Sequence, residues 1–202
     1  MTTRVKICGI TTAADARAAA AAGADAVGLV FVAGSRRCVD AATALEIVRC
    51  LPPFVNRVGL FMDQSAAEIE AVLDQVPLDT LQFHGSEAPA ACAAFARPWI
   101  KALAMGAEAL PDWQLWDGAQ ALLLDSHGGG KLGGSGEPFD WTRVPALDRP
   151  WVLAGGLHPA NVARACRQLK PDAVDVSTGV EKSPGIKDHR RMQEFIKAVR
   201  NA

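Results

Sequence analysis

Strand-length apolar runs alternate with helix-length segments eight times along this 202-residue chain, and that alternation restricts the fold more than any other feature. Strand, helix and strand in succession call for parallel pairing with helices laid outside the sheet. The first unit is the clearest. Val5 and Ile7 alternate with Lys6 and Cys8, Gly9 stops the strand, Thr11 or Thr12 can cap a helix, and Ala13 to Ala22 are strong helix formers ended by Gly23. Further strands read at Asp25 to Phe31, Val55 to Met62, Thr80 to His84, Trp99 to Leu103, Ala121 to Asp125, Trp151 to Ala154 and Ala173 to Ser177. Between them, helices are expected over Ala41 to Leu51, after a Ser65 cap boxed by Glu68, over Glu87 to Ala96, Leu110 to Trp116 and Asn161 to Leu169, with Asp188 to Val199 last. Eight such units close into a (β/α)8 TIM barrel, an α/β fold; an open doubly wound sheet is the alternative. These barrels usually need ~250 residues, with ~200 near their lower limit, so insertions must be few.

Half of the residues are hydrophobic and no Pro-, Ser- or charge-rich linker interrupts the pattern, which predicts one domain over residues 1–202. A net charge of −1 without a basic run argues against nucleic acid or an anionic membrane as partner and for a small molecule, with monomer and homodimer both open. Met1 to Arg4 lead straight into a strand without a signal-peptide pattern, so the expected compartment is the cytoplasm. The cysteines (Cys8, Cys38, Cys50, Cys92, Cys166) show no C-x-x-C spacing and His84, His127, His158 and His189 no i, i+4 spacing. Free thiols are expected, and neither metal nor cofactor is indicated.

Residues two apart on a strand share a face, which groups Lys6 with Cys8, Gln82 with His84, Leu123 with Asp125, and Asp175 with Ser177. Polar groups thus recur at strand ends, where such barrels keep their chemistry. Structural roles are also available to several of them: an ion pair at the barrel floor for Lys6, loop hydrogen bonds for Gln82 and His84, a loop cap for Asp125, plain packing for Cys8. Ala154-Gly155-Gly156 and Ser177-Thr178-Gly179 place small residues and backbone N–H groups at adjacent strand ends, a site suited to a phosphate. The glycine loop 128–136, with Gly134 and Ser135, could add donors.

Lys6-Ile7-Cys8-Gly9-Ile10-Thr11, Gln82-Phe83-His84-Gly85, Leu123-Leu124-Asp125-Ser126, Gly133-Gly134-Ser135-Gly136 with Phe139-Asp140-Trp141, Gly155-Gly156-Leu157 and the run from Asp175 to Glu181 together resemble the phosphoribosylanthranilate isomerase family of tryptophan biosynthesis. The likeness spans essentially the whole chain in motif order. It implies Cys8 as general base and Asp125 as general acid of an Amadori rearrangement that needs no cofactor. It also implies Arg37, beside Arg36, as the contact of the anthranilate carboxylate. From their places at the strand ends and in the glycine loop, Gln82, His84 and Asp175 are expected around the substrate and Gly134, Ser135, Gly155, Gly156, Ser177, Thr178 and Gly179 around its phosphate. Cys38 stands where the family commonly has an aromatic residue, and Glu137 where it often has lysine. That chemistry asks the barrel mouth to keep a proton on Asp125 while Lys6 or a backbone dipole favours the Cys8 thiolate. Two other readings use the same barrel: a Schiff base on Lys6 or Lys101, and a non-catalytic phosphometabolite sensor.

Overall fold

A computed structural model describes residues 2–107, 111–126 and 139–202. Eight parallel strands close on themselves in chain order: β1 (Arg4–Cys8), β2 (Ala26–Val30), β3 (Asn56–Phe61), β4 (Thr80–Phe83), β5 (Trp99–Ala104), β6 (Ala121–Asp125), β7 (Trp151–Leu153) and β8 (Ala173–Val176). The seam is the pairing of β1 with β8, where Lys6 stands opposite Asp175. The helices α1 (Ala13–Ala22), α2 (Ala41–Arg49), α3 (Ala66–Leu73), α4 (Pro89–Ala93), α5 (Val162–Leu169) and α6 (His189–Arg200) lie between strands and after the last. The expected barrel is therefore present. Alternation gives it two cores: one between sheet and helices, built on residues such as Ile7, Phe61, Leu122 and Phe195, and a smaller one inside the barrel formed by Ala102, Leu123, Val152 and Ala154.

Local signals account for most helix limits. Thr12 accepts from the amide of Asp15 at the start of α1, Gly23 takes a left-handed conformation at its end, and Ser65 and Glu68 form the expected capping box. Two expectations fail. The helix expected over Glu87 to Ala96 is confined to Pro89–Ala93, because Pro89 sets the first turn and Glu87 is drawn away to bond the amides of Asp63 and Gly85. The helix expected over Leu110 to Trp116 is, among the described residues, a single 3-10 turn at Gln114–Trp116, opened by Pro111 and by Asp112, which accepts from the amide of Gln114. Here tryptophans help cover the barrel. Trp99 meets Trp116 edge to face at 6.4 Å between centroids, and Trp113, Trp116 and Trp141 belong to the outer core. A short hairpin, β9 (Glu181–Ser183) with β10 (Ile186–Lys187), was not foreseen; it follows a 3-10 turn at Thr178–Val180.

Candidate active site

Five strands, β2, β3, β4, β7 and β8, stop one residue earlier than expected, and in the last three this leaves His84, Ala154 and Ser177 just past the carboxyl end. At that end of the barrel two adjoining cavities share Asp125, Asp175 and Ser177. The first, about 100 Å³, is lined by Cys8, Arg37, His84 and Met62 among others, and the second, about 200 Å³, by Ser126, Gly155, Gly156, His158, Thr178 and Gly179 among others. The cleft thus has an ionisable lobe and a glycine lobe.

Cys8 ends β1 opposite Gly28 of β2, where a methyl group would come within 2.8 Å of Sγ, so the glycine leaves room for the thiol. Below it Lys6 Nζ donates to Asp175 Oδ1 at 3.0 Å across the seam. Burial would pull the Lys6 ammonium down, but Asp175 and Cys8 overcome this and raise it. At Cys8 the balance falls the other way. Burial pushes the thiol above its ordinary range, although Lys6 pulls toward the thiolate as expected from the sequence. Asp125 ends β6 with Oδ2 at 3.3 Å from His84 Nε2, and His84 Nδ1 lies 3.1 Å from Gln82 Nε2. Gln82 is fully buried, borders neither cavity and stands beneath His84, to which its amide nitrogen bonds.

Arg37 comes from the loop after β2, where turns place the exposed Arg36 outward and Arg37 inward. Its Nε and Nη2 donate to the two carboxylate oxygens of Glu181 at 2.7 and 2.8 Å, and Nη2 also reaches Thr178 Oγ1 at 3.2 Å. Lys187 Nζ donates to the same Glu181 at 2.8 Å. Burial alone would lift the Glu181 carboxyl, but these cations hold it below the usual carboxylate range. In the glycine lobe a methyl group on Gly179 would land on the Leu157 carbonyl oxygen, and one on Gly155 on Ser126. Asn161 braces this lobe by donating to Gly156 O and accepting from the His158 amide, at 2.9 Å each. Gly134 and Ser135 lie outside the described residues. Of the lysines considered for a Schiff base, Lys6 is paired with Asp175, and Lys101 bonds Glu87 and Gly85 O, bordering neither cavity.

Sequence reasoning missed Glu181 and Lys187 as parts of the site, although Glu181 closes a quoted motif, and it missed Ser126 and His158. Gly9 and Gly28 carried a signal: glycines beside a candidate nucleophile.

Ionisable side chains gathered where parallel strands end, beside a lobe of glycines and exposed backbone, define a (β/α)8-barrel enzyme with its active site at the carboxyl face. The chain belongs to the N-(5'-phosphoribosyl)anthranilate (PRA) isomerase family, whose model matches residues 5–198. It is 56% identical over 199 residues to N-(5'-phosphoribosyl)anthranilate isomerase of Acidithiobacillus ferrooxidans, covering 98% of this chain and 97% of that one. The phosphoribosyl anthranilate isomerase of Thermus thermophilus superposes with a TM-score of 0.87 at 40% identity, over 97% of this chain and 98% of that one. Another isomerase structure, in complex with reduced 1-(o-carboxyphenylamino)-1-deoxyribulose 5-phosphate, superposes at 0.80 with 37% identity, covering 99% and 100%. No described helix is long and apolar enough to cross a membrane.

Proposed function

We propose that this enzyme converts N-(5'-phosphoribosyl)anthranilate to 1-(2-carboxyphenylamino)-1-deoxyribulose 5-phosphate in cytoplasmic tryptophan biosynthesis, with Asp125 as general acid and Cys8 as general base. The observation that carries this reading is that Cys8 and Asp125, from strands one and six, border one cavity that adjoins the glycine lobe. The phosphate is held there by backbone N–H groups around Gly155, Gly156 and Gly179 with the hydroxyls of Ser177 and Thr178, and Arg37 meets the anthranilate carboxylate. The relative that holds the reduced carboxyphenylamino-deoxyribulose phosphate supports a ligand of this chemistry.

Asp125 gives its proton to the furanose ring oxygen, the C1–O bond breaks, and the anthranilate nitrogen lone pair forms the iminium. The Cys8 thiolate removes the proton on C2, and the C–H electron pair becomes the C1=C2 bond of an enolamine, neutralising nitrogen. The enol hydroxyl then loses a proton, C1 gains one, and the aminoketose results with no net change in protons or electrons. Positioning both groups on an anchored sugar can lower the barrier by ~7–11 kcal/mol, more than the ~10²–10⁴-fold typical of one proton transfer.

The test is turnover of freshly prepared phosphoribosylanthranilate by wild type, Cys8→Ser and Asp125→Asn. Each variant is expected to lose roughly 10²–10⁴-fold in kcat with KM nearly unchanged. Full activity in either variant would remove that residue from the mechanism.

A further inference from the structure

The β9–β10 hairpin does more than join β8 to α6. It brings Glu181 and Lys187 behind Arg37, where neither borders the cleft and their side chains are 3% and 0% exposed. Glu181 grips the guanidinium through both oxygens, leaving Arg37 Nη1 with no hydrogen bond among the described residues while Arg37 lines the cavity. A bidentate grip fixes the plane of the arginine. It also cancels its charge. An Arg–Glu pair alone is neutral overall, and its carboxylate would oppose an arriving anion.

Lys187 changes that sum. Its ammonium donates to Glu181 Oε1 at 2.8 Å and to the carbonyl and hydroxyl of Ser177, each at 3.3 Å, so its three protons all have acceptors. With Lys187 counted, Arg37, Glu181 and Lys187 carry one net positive charge. Around them Lys6 pairs with Asp175, Arg191 bonds the Glu181 carbonyl and faces Asp188, and Asp15 takes the Lys187 amide and His189; the Cys8 thiolate is a further negative charge facing Arg37 and Lys187, and it is the same for both substrates compared below. Burying an ammonium is costly, and here burial pulls Lys187 below the ordinary lysine range against Glu181. In so poorly solvated a wall, an uncompensated charge reaches the cavity with little screening.

We propose that Lys187 is a specificity-determining residue that never touches the ligand: by offsetting Glu181 it leaves Arg37 the full positive charge that selects a substrate bearing an aryl carboxylate. This rests on the reading of Arg37 as the carboxylate contact. The measurement is the ratio of kcat/KM for phosphoribosylanthranilate to kcat/KM for the phosphoribosyl derivative of aniline, which lacks the carboxylate. Lys187 also favours the Cys8 thiolate, so Lys187→Met slows both substrates, but that loss cancels in the ratio. Lys187→Met should lower the ratio roughly tenfold, equivalent to about 1.4 kcal/mol. The Glu181→Gln/Lys187→Met double variant restores one net positive charge and should recover most of it. Lys187→Gln, which keeps a hydrogen-bond donor, serves if Lys187→Met does not fold.

A ratio unchanged in the Lys187 variants, or a double variant no better than Lys187→Met, overturns the proposal. Arg37→Met separates the two layers. If it leaves the ratio untouched, the carboxylate reading is wrong and the role of Lys187 falls with it. If it collapses the ratio while Lys187→Met does not, only the role of Lys187 is lost.

Discussion

Gly9 holds φ at +73°, and a methyl group built there would stand 2.5 Å from Cδ of Arg37. Alanine would therefore strain the backbone after β1 and push the arginine aside. Gly9→Ala is expected to raise KM for phosphoribosylanthranilate about tenfold or more while leaving the aniline derivative less affected, as steady-state kinetics will show. Cys8 supplies a second prediction. Burial raises its pKa, so in the free enzyme the thiolate fraction, and with it kcat/KM, should climb as pH rises into the alkaline range. Lys6→Met removes the nearest pull toward the thiolate and leaves Asp175 without its cation, moving that climb to still higher pH. A pH profile of kcat/KM, with alkylation of Cys8 followed by peptide mass spectrometry, checks both the direction and the residue. Cys8, Asp125, His84 and Asp175 were legible because strand parity and strand ends are visible in one dimension. The depth of Gln82 below the rim was not, since it depends on how the barrel closes.

At the scale of elements, Asp15 of α1 ties together pieces that the chain keeps far apart. One oxygen accepts from the Lys187 amide of β10 at 3.2 Å, and the other lies 2.7 Å from His189 Nε2 at the start of α6. Asp15→Ala strands the buried Lys187 amide and should cost about 1–3 kcal/mol of unfolding free energy, read from urea denaturation. The hairpin it anchors escaped the sequence pattern because strands of three and two residues fall below the length at which alternation is a signal. Long periodic elements read correctly. Those that failed, after β4 and β5, were decided by a proline at a helix start and by side chains that bond loop amides, where tertiary partners outweigh propensity.

Across the whole molecule the outer layer is uneven. Among the described residues six α-helices and a patch of indoles cover the strands, so part of the stability that helices provide elsewhere comes from aromatic contacts around β5. Trp116→Ala removes an edge-to-face partner of Trp99 and the ring beneath Lys101 Nζ, 4.8 Å from its centroid, and should lower unfolding free energy by about 2 kcal/mol in urea titrations. The eightfold alternation made the closed sheet legible. The 3-10 turn described after β5 was not, because a tryptophan in a turn and one in an amphipathic helix look alike in sequence.

The seam joins the first strand of the barrel to its last, and the site straddles it: Lys6 bonds a carboxylate 169 positions away, and Arg37 one 144 positions away. During translation the thiol leaves the ribosome with Lys6 but long before Asp175 and Lys187, which also tune it. A nascent chain stalled before Glu181 has emerged would carry Cys8 and Asp125 yet lack the completed pocket. Catalysis in this enzyme accordingly reports that synthesis has run through the last barrel strand and the hairpin after it, and products truncated before Glu181 are expected to be inert.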